Sequence, residues 1–303
     1  MKKKIIIGSR GSKLALIYAE RAKFELLKNL EIKSVEIKSI TTTGDTIKDV
    51  RISDHGGKGV FCKSIEQELL NNSIDIAVHA LKDLPTNETQ GLLTNCFLKR
   101  NNPKEILISN GNKNIKDLKI NAVVGTSSFR REFQLKNIRA DLNCKLIRGN
   151  VDTRIKKLNE NLFDAIILSY AGIKSLGLEE KISQTFLTSE IIPSAGQGVI
   201  ALQCRKDDKE LIELLNKVNH VPTHNCIKAE RNVLKVLEGD CETAVGAFAE
   251  IYKDKINLEA ELFSLDGKDR FYVKLSKDLK LASELGIEVG NILKQKSKNS
   301  YKK

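Results

Sequence analysis

Three short segments carry the residues best suited to bind anions. Residues 125–131 (GTSSFRR) follow an apolar run and open a helical pattern, so backbone N–H groups, hydroxyls and two arginines favour an anion site there. An ordinary capped helix start would explain Ser128 but does not require two adjacent arginines. Residues 9–12 (SRGS) repeat this logic, as do residues 146–151 (LIRGNV) with Arg154 one helical turn later. Together the segments predict a ligand with several negative groups.

The arginines are unevenly distributed. The chain has twelve, and an even spread would place about one of them between residues 130 and 154. That window holds five, namely Arg130, Arg131, Arg139, Arg148 and Arg154. The forked guanidinium suits carboxylates and phosphates. Two exposed helices that happen to carry arginine are the structural alternative.

Two other segments carry groups that could react. Residues 79–85 (HALKDLP) end a predicted buried strand and place Asp83 beside Lys82, where the carboxylate could act as a general acid or base or stabilise a cation. A surface Lys–Asp pair in a turn is the alternative. Residues 237–241 (LEGDC) place Cys241 in a loop, where an ionised thiol could form a covalent bond. An inert loop cysteine is the alternative.

Nucleotide and metal motifs are not supported. The glycine loop at 56–59 (GGKG) is no phosphate loop, because Ile52 and Gly59 stand where glycine and serine or threonine are required. A mobile loop over a cleft is the favoured interpretation. There is no C-x-x-C pair, and His220, His224 and Cys226 have no evident fourth ligand. We therefore predict no metal.

The apolar pattern predicts the elements that position these groups. Strands and helices alternate over residues 5–98, which implies a parallel sheet with crossover helices, and a second alternation follows Pro103. We predict two α/β units around a cleft and a small α+β unit, with a basic, frayed tail at 294–303. The expected domains are residues 1–98 with 194–217, residues 99–193, and residues 218–303.

Composition narrows the class of protein. The chain has 303 residues, a net charge of +12 and 41% hydrophobic residues, a globular composition. No apolar run approaches the ~20 residues of a membrane span, and no signal peptide is recognised. We therefore expect a cytoplasmic protein that does not associate with a membrane. Positive charge favours polyanionic partners. Aromatic residues are only 5% and the lysines are dispersed, so nucleic-acid binding is not predicted.

Eight segments, in this order, resemble the porphobilinogen deaminase (hydroxymethylbilane synthase) family. They are 9–16 (SRGSKLAL), 56–61 (GGKGVF), 75–85 (DIAVHALKDLP), 125–131 (GTSSFRR), 148–154 (RGNVDTR), 164–177 (DAIILSYAGIKSLG), 193–198 (PSAGQG) and 237–241 (LEGDC). The resemblance implies head-to-tail condensation of four porphobilinogen molecules into linear hydroxymethylbilane, with release of ammonia, in tetrapyrrole (haem) biosynthesis. It also implies three domains, two of them like type II periplasmic binding proteins and a third carrying the cofactor cysteine.

The resemblance also assigns roles to residues. A dipyrromethane cofactor would be joined to Cys241 by a thioether, and Asp83 would be the catalytic carboxylate. The expected cofactor contacts are Lys82, Ser128, Arg130, Arg131, Asn150, Arg154, Ala171 and Gly172. The expected substrate contacts are Arg10, Ser12, Lys58, Phe61 and Arg148, with the 56–59 loop as a lid. A monomer that passes its product to uroporphyrinogen-III synthase is expected.

Four residues depart from the commoner family pattern. Ala80 stands where serine is usual, and Asp240 replaces a glycine before Cys241 and adds negative charge beside the thiol, which is expected to slow cofactor attachment. Asp54 stands where the lid often has lysine, and Asn102 lies in a segment that is usually more acidic. The alternative function is a non-catalytic polycarboxylate-binding protein of the periplasmic-binding-protein fold. Such a protein would need neither Asp83 nor Cys241.

Overall fold

The structure is a computed structural model that describes residues 3–29, 31–46, 59–238 and 243–302. The first part of the chain contains β1 Lys3–Arg10, α1 Lys13–Leu27, β2 Ile32–Ile40, α2 Thr43–Thr46, α3 Lys63–Leu70, β3 Ile76–Ala80 and β4 Leu92–Phe97. The middle contains β5 Glu105–Ser109, β6 Val123–Gly125, α4 Phe129–Ile138, β7 Asn143–Lys145, α5 Val151–Asn159, β8 Ala165–Ser169, α6 Tyr170–Ser175 and β9 Gln184–Thr185. The last part contains β10 Ile200–Arg205, α7 Lys209–Val218, α8 Val221–Leu237, β11 Val245–Tyr252, β12 Lys255–Phe263, β13 Arg270–Asp278 and α9 Ala282–Ser297.

The first sheet has the strand order β2-β1-β3-β10-β4. β1 is parallel to β2 and β3, as crossover helices require, but β10 is antiparallel to both β3 and β4. β3 and β4 therefore run in the same direction, and the four strands from residues 5–98 are parallel, as predicted. β10 runs against them because it enters this sheet from the second one, without a crossover helix of the first. Its core joins Ile5, Ile7 and Leu202 to Ala22 and Leu26 of α1.

The second sheet has the order β7-β6-β8-β5-β9 and contains a strand that the sequence pattern did not reveal. β5 is buried along its whole length and pairs antiparallel with β8 and β9. Its first residue, Glu105, is charged and yet 0% exposed. β7, at one edge, ends at Lys145, directly before the predicted anion-binding segment 146–151.

The third sheet, β11-β12-β13, is covered by α8 and α9. The two helices approach closely because α9 has Gly286 at the contact, where a Cβ atom would lie 2.2 Å from the Ala229 carbonyl oxygen. The expected fraying from residue 294 is wrong, because α9 continues to Ser297 and Tyr301 is only 1% exposed. The tail is ordered because its aromatic ring completes the core of this sheet.

These three sheets confirm the predicted α/β class with two α/β units and a smaller α+β unit. The domain limits stay predictions. Arg100, which follows β4, forms a forked ion pair of 2.8 and 2.7 Å with buried Glu230 of α8. Glu230 also accepts hydrogen bonds from the backbone N–H groups of Gly196 and Ala249. One carboxylate thus ties the connecting segments to the third sheet. No helix in the described ranges has the length and apolar character to cross a membrane.

Candidate active site

Asp83 stands at the end of a buried strand. After β3, the chain forms a 3-10 turn over Leu81–Asp83, in which Leu81 and Leu84 are buried while Lys82 and Asp83 are exposed. The Leu81 N–H donates to the Val199 carbonyl at 3.0 Å, which anchors the turn to the start of β10. Because Leu81 and Leu84 are anchored in the core on either side, the charged side chains of Lys82 and Asp83 point outward.

One concave pocket contains Asp83 and three of the predicted substrate contacts. Arg10, Ser12 and Phe61 line it together with the Asp83 side chain. The Arg10 guanidinium carbon lies 4.1 Å from the centre of the Phe61 ring, a cation–π contact. The Ser12 hydroxyl accepts a hydrogen bond from the Ala15 N–H at 3.4 Å and caps α1. The 9–12 segment and Phe61, which are far apart in the sequence, therefore meet beside Asp83, the candidate catalytic carboxylate.

Tyr18 lies in the same pocket and was missed by the sequence analysis. Burial and the negative charge of Asp83 raise the pKa of its phenol to about 12, so it stays protonated. Its hydroxyl is hydrogen-bonded to Ser175 of α6, which itself donates to the Ala171 carbonyl at 2.8 Å. Tyr18 thus joins α1 and α6 beside Asp83. As one apolar position in an amphipathic helix, it gave no separate signal.

His79 also lines the pocket, and its ring is neutral. Burial lowers its pKa to about 4 despite the nearby carboxylates of Glu66 and Asp83. Its Nε2 lies 3.2 Å from the Gln203 Oε1 atom, and the Gln203 amide donates to Glu66 at 2.9 Å. This buried chain of polar groups holds the end of β3 against β10. In the sequence, the histidine within the otherwise apolar strand β3 is the feature that could have indicated this polar chain.

The paired arginines share one buried carboxylate. Glu105 accepts hydrogen bonds from Arg130 at 2.6 Å and from Arg131 at 2.8 and 3.1 Å. Burial alone would raise the pKa of Glu105, but Arg131, Arg130 and Lys82 outweigh it and lower the pKa to about 2. Arg130 also donates to the Ile192 carbonyl at 2.8 Å. Glu105 therefore offsets one of the two positive charges, and no motif in the sequence marks it.

Ser128 begins the helix that carries these arginines. Its hydroxyl accepts a hydrogen bond from the Arg131 N–H at 3.4 Å, and it is the cap residue of α4. Its own N–H donates to the Thr126 hydroxyl at 3.1 Å. The predicted helix start is therefore present, and it turns the Arg130 and Arg131 side chains toward Glu105 of β5.

A second group of cations extends from α5 to β1. Arg154 donates to the Gly149 carbonyl at 2.8 Å, and burial together with Arg131 and Arg148 lowers its pKa to about 10. Burial and the charge of Arg10 lower the pKa of Arg148. The Arg148 Nε atom is buried and has no hydrogen-bond partner within the described part of the chain. Gly149 permits this turn, because its φ of +112° would strain any residue with a side chain.

Lys82 completes the cationic lining. Its ammonium donates to Gln197 at 3.1 Å, and the Gln197 amide donates to the Pro103 carbonyl at 2.7 Å. The surrounding protein and the charge of Arg131 lower the pKa of Lys82 to about 8. The side chain opens into the cleft, so solvent screens part of this effect.

Three predicted cofactor contacts occupy other settings. Asn150 precedes α5 as its cap residue without a side-chain capping bond and is exposed. Ala171 is buried in α6, and the Cβ position of Gly172 lies 3.5 Å from Leu14 of α1. Gly172 therefore lets α6 pack against Leu14 of α1. Their contacts with a cofactor stay predictions.

Several positions singled out by the sequence lie outside the described residues. They are Cys241, residues 56–58 of the expected lid, including Lys58, and the departures Asp54 and Asp240. Of the suspected metal ligands, His220 caps α8 by accepting from the Thr223 N–H at 3.2 Å, and His224 is bonded to Asn219 at 3.1 Å. The described ranges contain no group of three histidine, cysteine or acidic side chains arranged to hold a metal ion.

The geometry suits a ligand that carries several carboxylates. Arg10 from the first sheet and Arg148 from the second lie close enough for each charge to affect the other, and Arg154 and Arg131 continue the line. Bringing like charges together is unfavourable unless an anion joins them. Asp83 lies close enough to this set for its charge to affect Arg154. A polycarboxylate bound here would place its reacting end beside one carboxylate.

Comparison with known proteins gives a consistent result. Residues 5–213 match a family model described as porphobilinogen deaminase, dipyromethane cofactor binding domain, and residues 224–295 match its C-terminal domain model. A porphobilinogen deaminase of Syntrophomonas wolfei is 42% identical and covers 95% of this chain and 94% of its own. One of Staphylococcus epidermidis is 41% identical over 97% and 95%. A putative methionine-binding lipoprotein of Bacillus subtilis superposes with a TM-score of 0.43 at 15% identity, covering 74% of this chain and 93% of its own.

Proposed function

The chain belongs to the porphobilinogen deaminase family, and we infer that it is a transferase which condenses four porphobilinogen molecules head to tail into linear hydroxymethylbilane. Ammonia is released at each step, and a dipyrromethane group serves as the primer in tetrapyrrole biosynthesis. The observation that supports this conclusion most directly is that Asp83 lies close to Arg10 of the first sheet and to Arg154, which follows the second sheet's β7. The alternative of a non-catalytic anion-binding protein is not favoured, because it accounts for neither family match.

We propose that the arginines bind the acetate and propionate groups of the pyrroles. Each charge-assisted hydrogen bond contributes ~1.5–3 kcal/mol, so a chain of pyrroles gains affinity at every ring. Arg10, Ser12 and Phe61 line the pocket around Asp83 and are assigned to the incoming porphobilinogen. Arg148, between Arg10 and Arg154, is assigned to the growing chain. Lys58 is assigned to the substrate by resemblance alone.

Asp83 is proposed as the catalytic carboxylate. When the aminomethyl C–N bond of porphobilinogen breaks, ammonia leaves with the bonding pair and positive charge develops on the pyrrole. A carboxylate facing that pyrrole stabilises the charge electrostatically. When the new C–C bond forms, the attacked ring carbon releases its proton, and Asp83 is the group placed to accept it. Tyr18 is not an alternative acceptor, because its phenol already carries a proton.

The cationic residues fit a dipyrromethane cofactor. When bound, this group supplies the terminal pyrrole to which the first substrate is joined. Its carboxylates would be held by Lys82, Arg131 and Arg154, with Ser128 and Arg130 shaping that end of the cleft. Next to them, the buried Nε atom of Arg148, which has no hydrogen-bond partner among the described residues, is a donor for a carboxylate of the growing chain. Asn150, Ala171 and Gly172 are assigned to the cofactor on resemblance.

We propose that the cofactor is attached through a thioether to Cys241. The other five cysteines support this choice, because burial raises the pKa of each described thiol to between about 11 and about 12. A thiol with so high a pKa supplies almost no thiolate at neutral pH. Cys241 follows the end of α8 by a few residues, next to the acidic Asp240.

The intact mass of the purified protein tests this proposal. The wild type, made in cells that contain porphobilinogen, is expected to exceed its sequence mass by two porphobilinogen units less two ammonias. Cys241→Ser is expected to lack the excess, and Cys144→Ser, the matched control, is expected to keep it. A wild type that stays unmodified would instead support an anion-binding protein, provided that it also converts no porphobilinogen after incubation with hydroxymethylbilane.

Three further properties stay predictions. They are a cytoplasmic location, a monomeric state and the transfer of the product to uroporphyrinogen-III synthase. Hydroxymethylbilane is a reactive open chain, so an enzyme that closes it is the expected consumer.

A further inference from the structure

Gln197 lies in the segment that returns the chain from the second sheet to β10. It is 1% exposed and stands between Gly196 and Gly198, whose φ angles are +76° and +78°. The Gly198 carbonyl accepts a hydrogen bond from the Asn101 N–H at 2.8 Å, and a Cβ atom on Gly198 would lie 2.6 Å from the Asn101 carbonyl oxygen. Asn101 belongs to the segment that leaves the first sheet after β4. The two segments that join the sheets therefore touch at this turn.

Both ends of the Gln197 amide are occupied. Its NH2 group donates to the Pro103 carbonyl at 2.7 Å, and its oxygen accepts a hydrogen bond from the Lys82 ammonium at 3.1 Å. A carbonyl can only accept, so the bond to Pro103 fixes which end of the amide faces Lys82. The amide oxygen is therefore held in place by the backbone of the other joining segment.

The Lys82 ammonium keeps its charge beside this amide. Of the charged groups that act on it, Arg131 and Arg130 are positive. Asp83 and Glu105 are negative, and Glu105 is already bonded to both arginines. An amide oxygen accepts a hydrogen bond but has no net charge, so it orients the ammonium without neutralising it. The positive charge stays available to an anionic ligand.

A lysine gains from such a restraint because of its shape. Its ammonium is a compact charge at the end of a flexible four-carbon stem, so an unrestrained side chain must lose rotamer freedom whenever it binds a ligand. Lys82 is exposed in the 3-10 turn after β3, and among the described residues the acceptor for its ammonium is Gln197.

We propose that Gln197 is a positioning residue for Lys82. Its amide oxygen holds the ammonium in the direction in which it meets a carboxylate of the dipyrromethane cofactor, and the Pro103 carbonyl holds the amide. This inference rests on the proposed binding of that cofactor by Lys82. Without the amide, the lysine side chain spends less time in the binding direction. With a carboxylate in place of the amide, the ammonium is paired within the protein, and the cofactor must compete for it.

The first measurement is the pKa of Lys82 in protein that lacks the cofactor. Such protein is made in cells unable to synthesise porphobilinogen. An acylating reagent modifies only the neutral amine, so the rate at which the peptide containing Lys82 gains mass at each pH gives the pKa, which is about 8 in the wild type. Gln197→Glu places a carboxylate on the ammonium, which should raise this pKa by about one unit or more and slow acylation at pH 8 by about 5-fold or more.

The second measurement follows incorporation of the cofactor. Cofactor-free protein is mixed with hydroxymethylbilane for a fixed short time, and intact mass gives the concentration that half-saturates incorporation. In that reaction the Cys241 thiol replaces the terminal hydroxyl, which leaves as water. Gln197→Met keeps the volume but removes both hydrogen bonds, and it should raise the half-saturating concentration about 3- to 10-fold at pH 7, the range of one hydrogen bond.

The pH dependence separates positioning of an ammonium from a purely structural role. Gln197→Glu should also raise the half-saturating concentration at pH 7, but its value should change less between pH 7 and pH 9 than that of the wild type. Gln184 of the edge strand β9 provides matched controls, since its amide oxygen accepts a hydrogen bond from the Ile115 N–H at 2.8 Å. Gln184→Glu and Gln184→Met are expected to match the wild type in both measurements.

The outcomes separate this inference from the function on which it rests. An unchanged Lys82 pKa in Gln197→Glu would overturn the proposal, and so would wild-type half-saturation in Gln197→Met. Equal changes in the Gln184 variants would overturn it as well, because general destabilisation would then explain both sets. If the wild type gains no mass, cofactor attachment is refuted and the positioning role fails with it. The Lys82 pKa would still respond to Gln197→Glu in that case, which distinguishes the two failures.

Discussion

Replacing Glu105 with glutamine tests the electrostatic design of the site. Glutamine keeps nearly the same shape but removes the negative charge that lies between Arg130 and Arg131. Both guanidinium groups then keep a full positive charge inside the protein, with Lys82 nearby. No residue of β5 other than Glu105 is ionisable, so this strand offers no substitute.

The expected loss of stability follows from burial. Glu105, Arg130 and Arg131 are 0%, 5% and 8% exposed, and three hydrogen bonds of 2.6–3.1 Å join them. Removing one partner of a buried ion pair costs about 3–5 kcal/mol, since the remaining charge is not solvated. At a few degrees per kcal/mol, the melting temperature should fall by roughly 6–20 °C.

Urea unfolding of the cofactor-free chain, followed by circular dichroism, measures this loss. Glu160→Gln is the matched control, because Glu160 forms an exposed pair with Lys156 at 3.8 Å and should cost less than about 1 kcal/mol. Protein that carries the cofactor should lose less stability from Glu105→Gln, since a bound carboxylate compensates the extra positive charge. A loss below about 1 kcal/mol in the cofactor-free chain would refute the reasoning.

Three other predictions concern the pocket. Asp83→Asn should lower the rate of hydroxymethylbilane formation by at least about 100-fold with little change in melting temperature, because it removes only the facing charge; a smaller loss would exclude Asp83 as the catalytic carboxylate. Burial lowers the pKa of His79 from 6.5 to about 4, so the stability that this neutral ring contributes is complete above pH 6.5 and is lost as the pH falls toward 4, by about 3 kcal/mol. His79→Gln should flatten that part of a pH–stability curve, and an unchanged slope would contradict the assignment. The surrounding protein and the charge of Arg131 lower the pKa of Lys82 to about 8, so the affinity of the cofactor-free chain for hydroxymethylbilane, which supplies the cofactor's carboxylates, should fall above pH 8 in the wild type and fall less in Lys82→Arg; identical pH profiles would show that Lys82 does not bind a cofactor carboxylate.

The elements that place the site were largely predictable from local sequence. Ser12 and Ser128 were expected at helix starts, and both cap helices in the structure. The end of the apolar run at Ala80 placed Asp83 just beyond a buried strand, as observed. These features depend on residues a few positions apart, so a single sequence contains the information.

Contacts between distant residues were not predictable in the same way. β5 resembles no alternating or helical pattern, because both of its faces are buried. The antiparallel direction of β10 follows from the path between two sheets, which no local pattern records. Tyr301 is 64 residues from its partner Leu237, and its basic neighbours suggested a frayed end.

By itself, the sequence determined which residues are chemically able to act: Asp83, the clustered arginines and Cys241. Residue type and short-range order are written directly in the chain, and the ordered motifs carry the family resemblance. Only the tertiary structure decided which charges neutralise one another. A buried guanidinium must take the nearest available anion, and for Arg130 and Arg131 this is Glu105, some 25 residues earlier in the chain. That pairing depends on how strands and helices pack, and packing is a property of the whole fold.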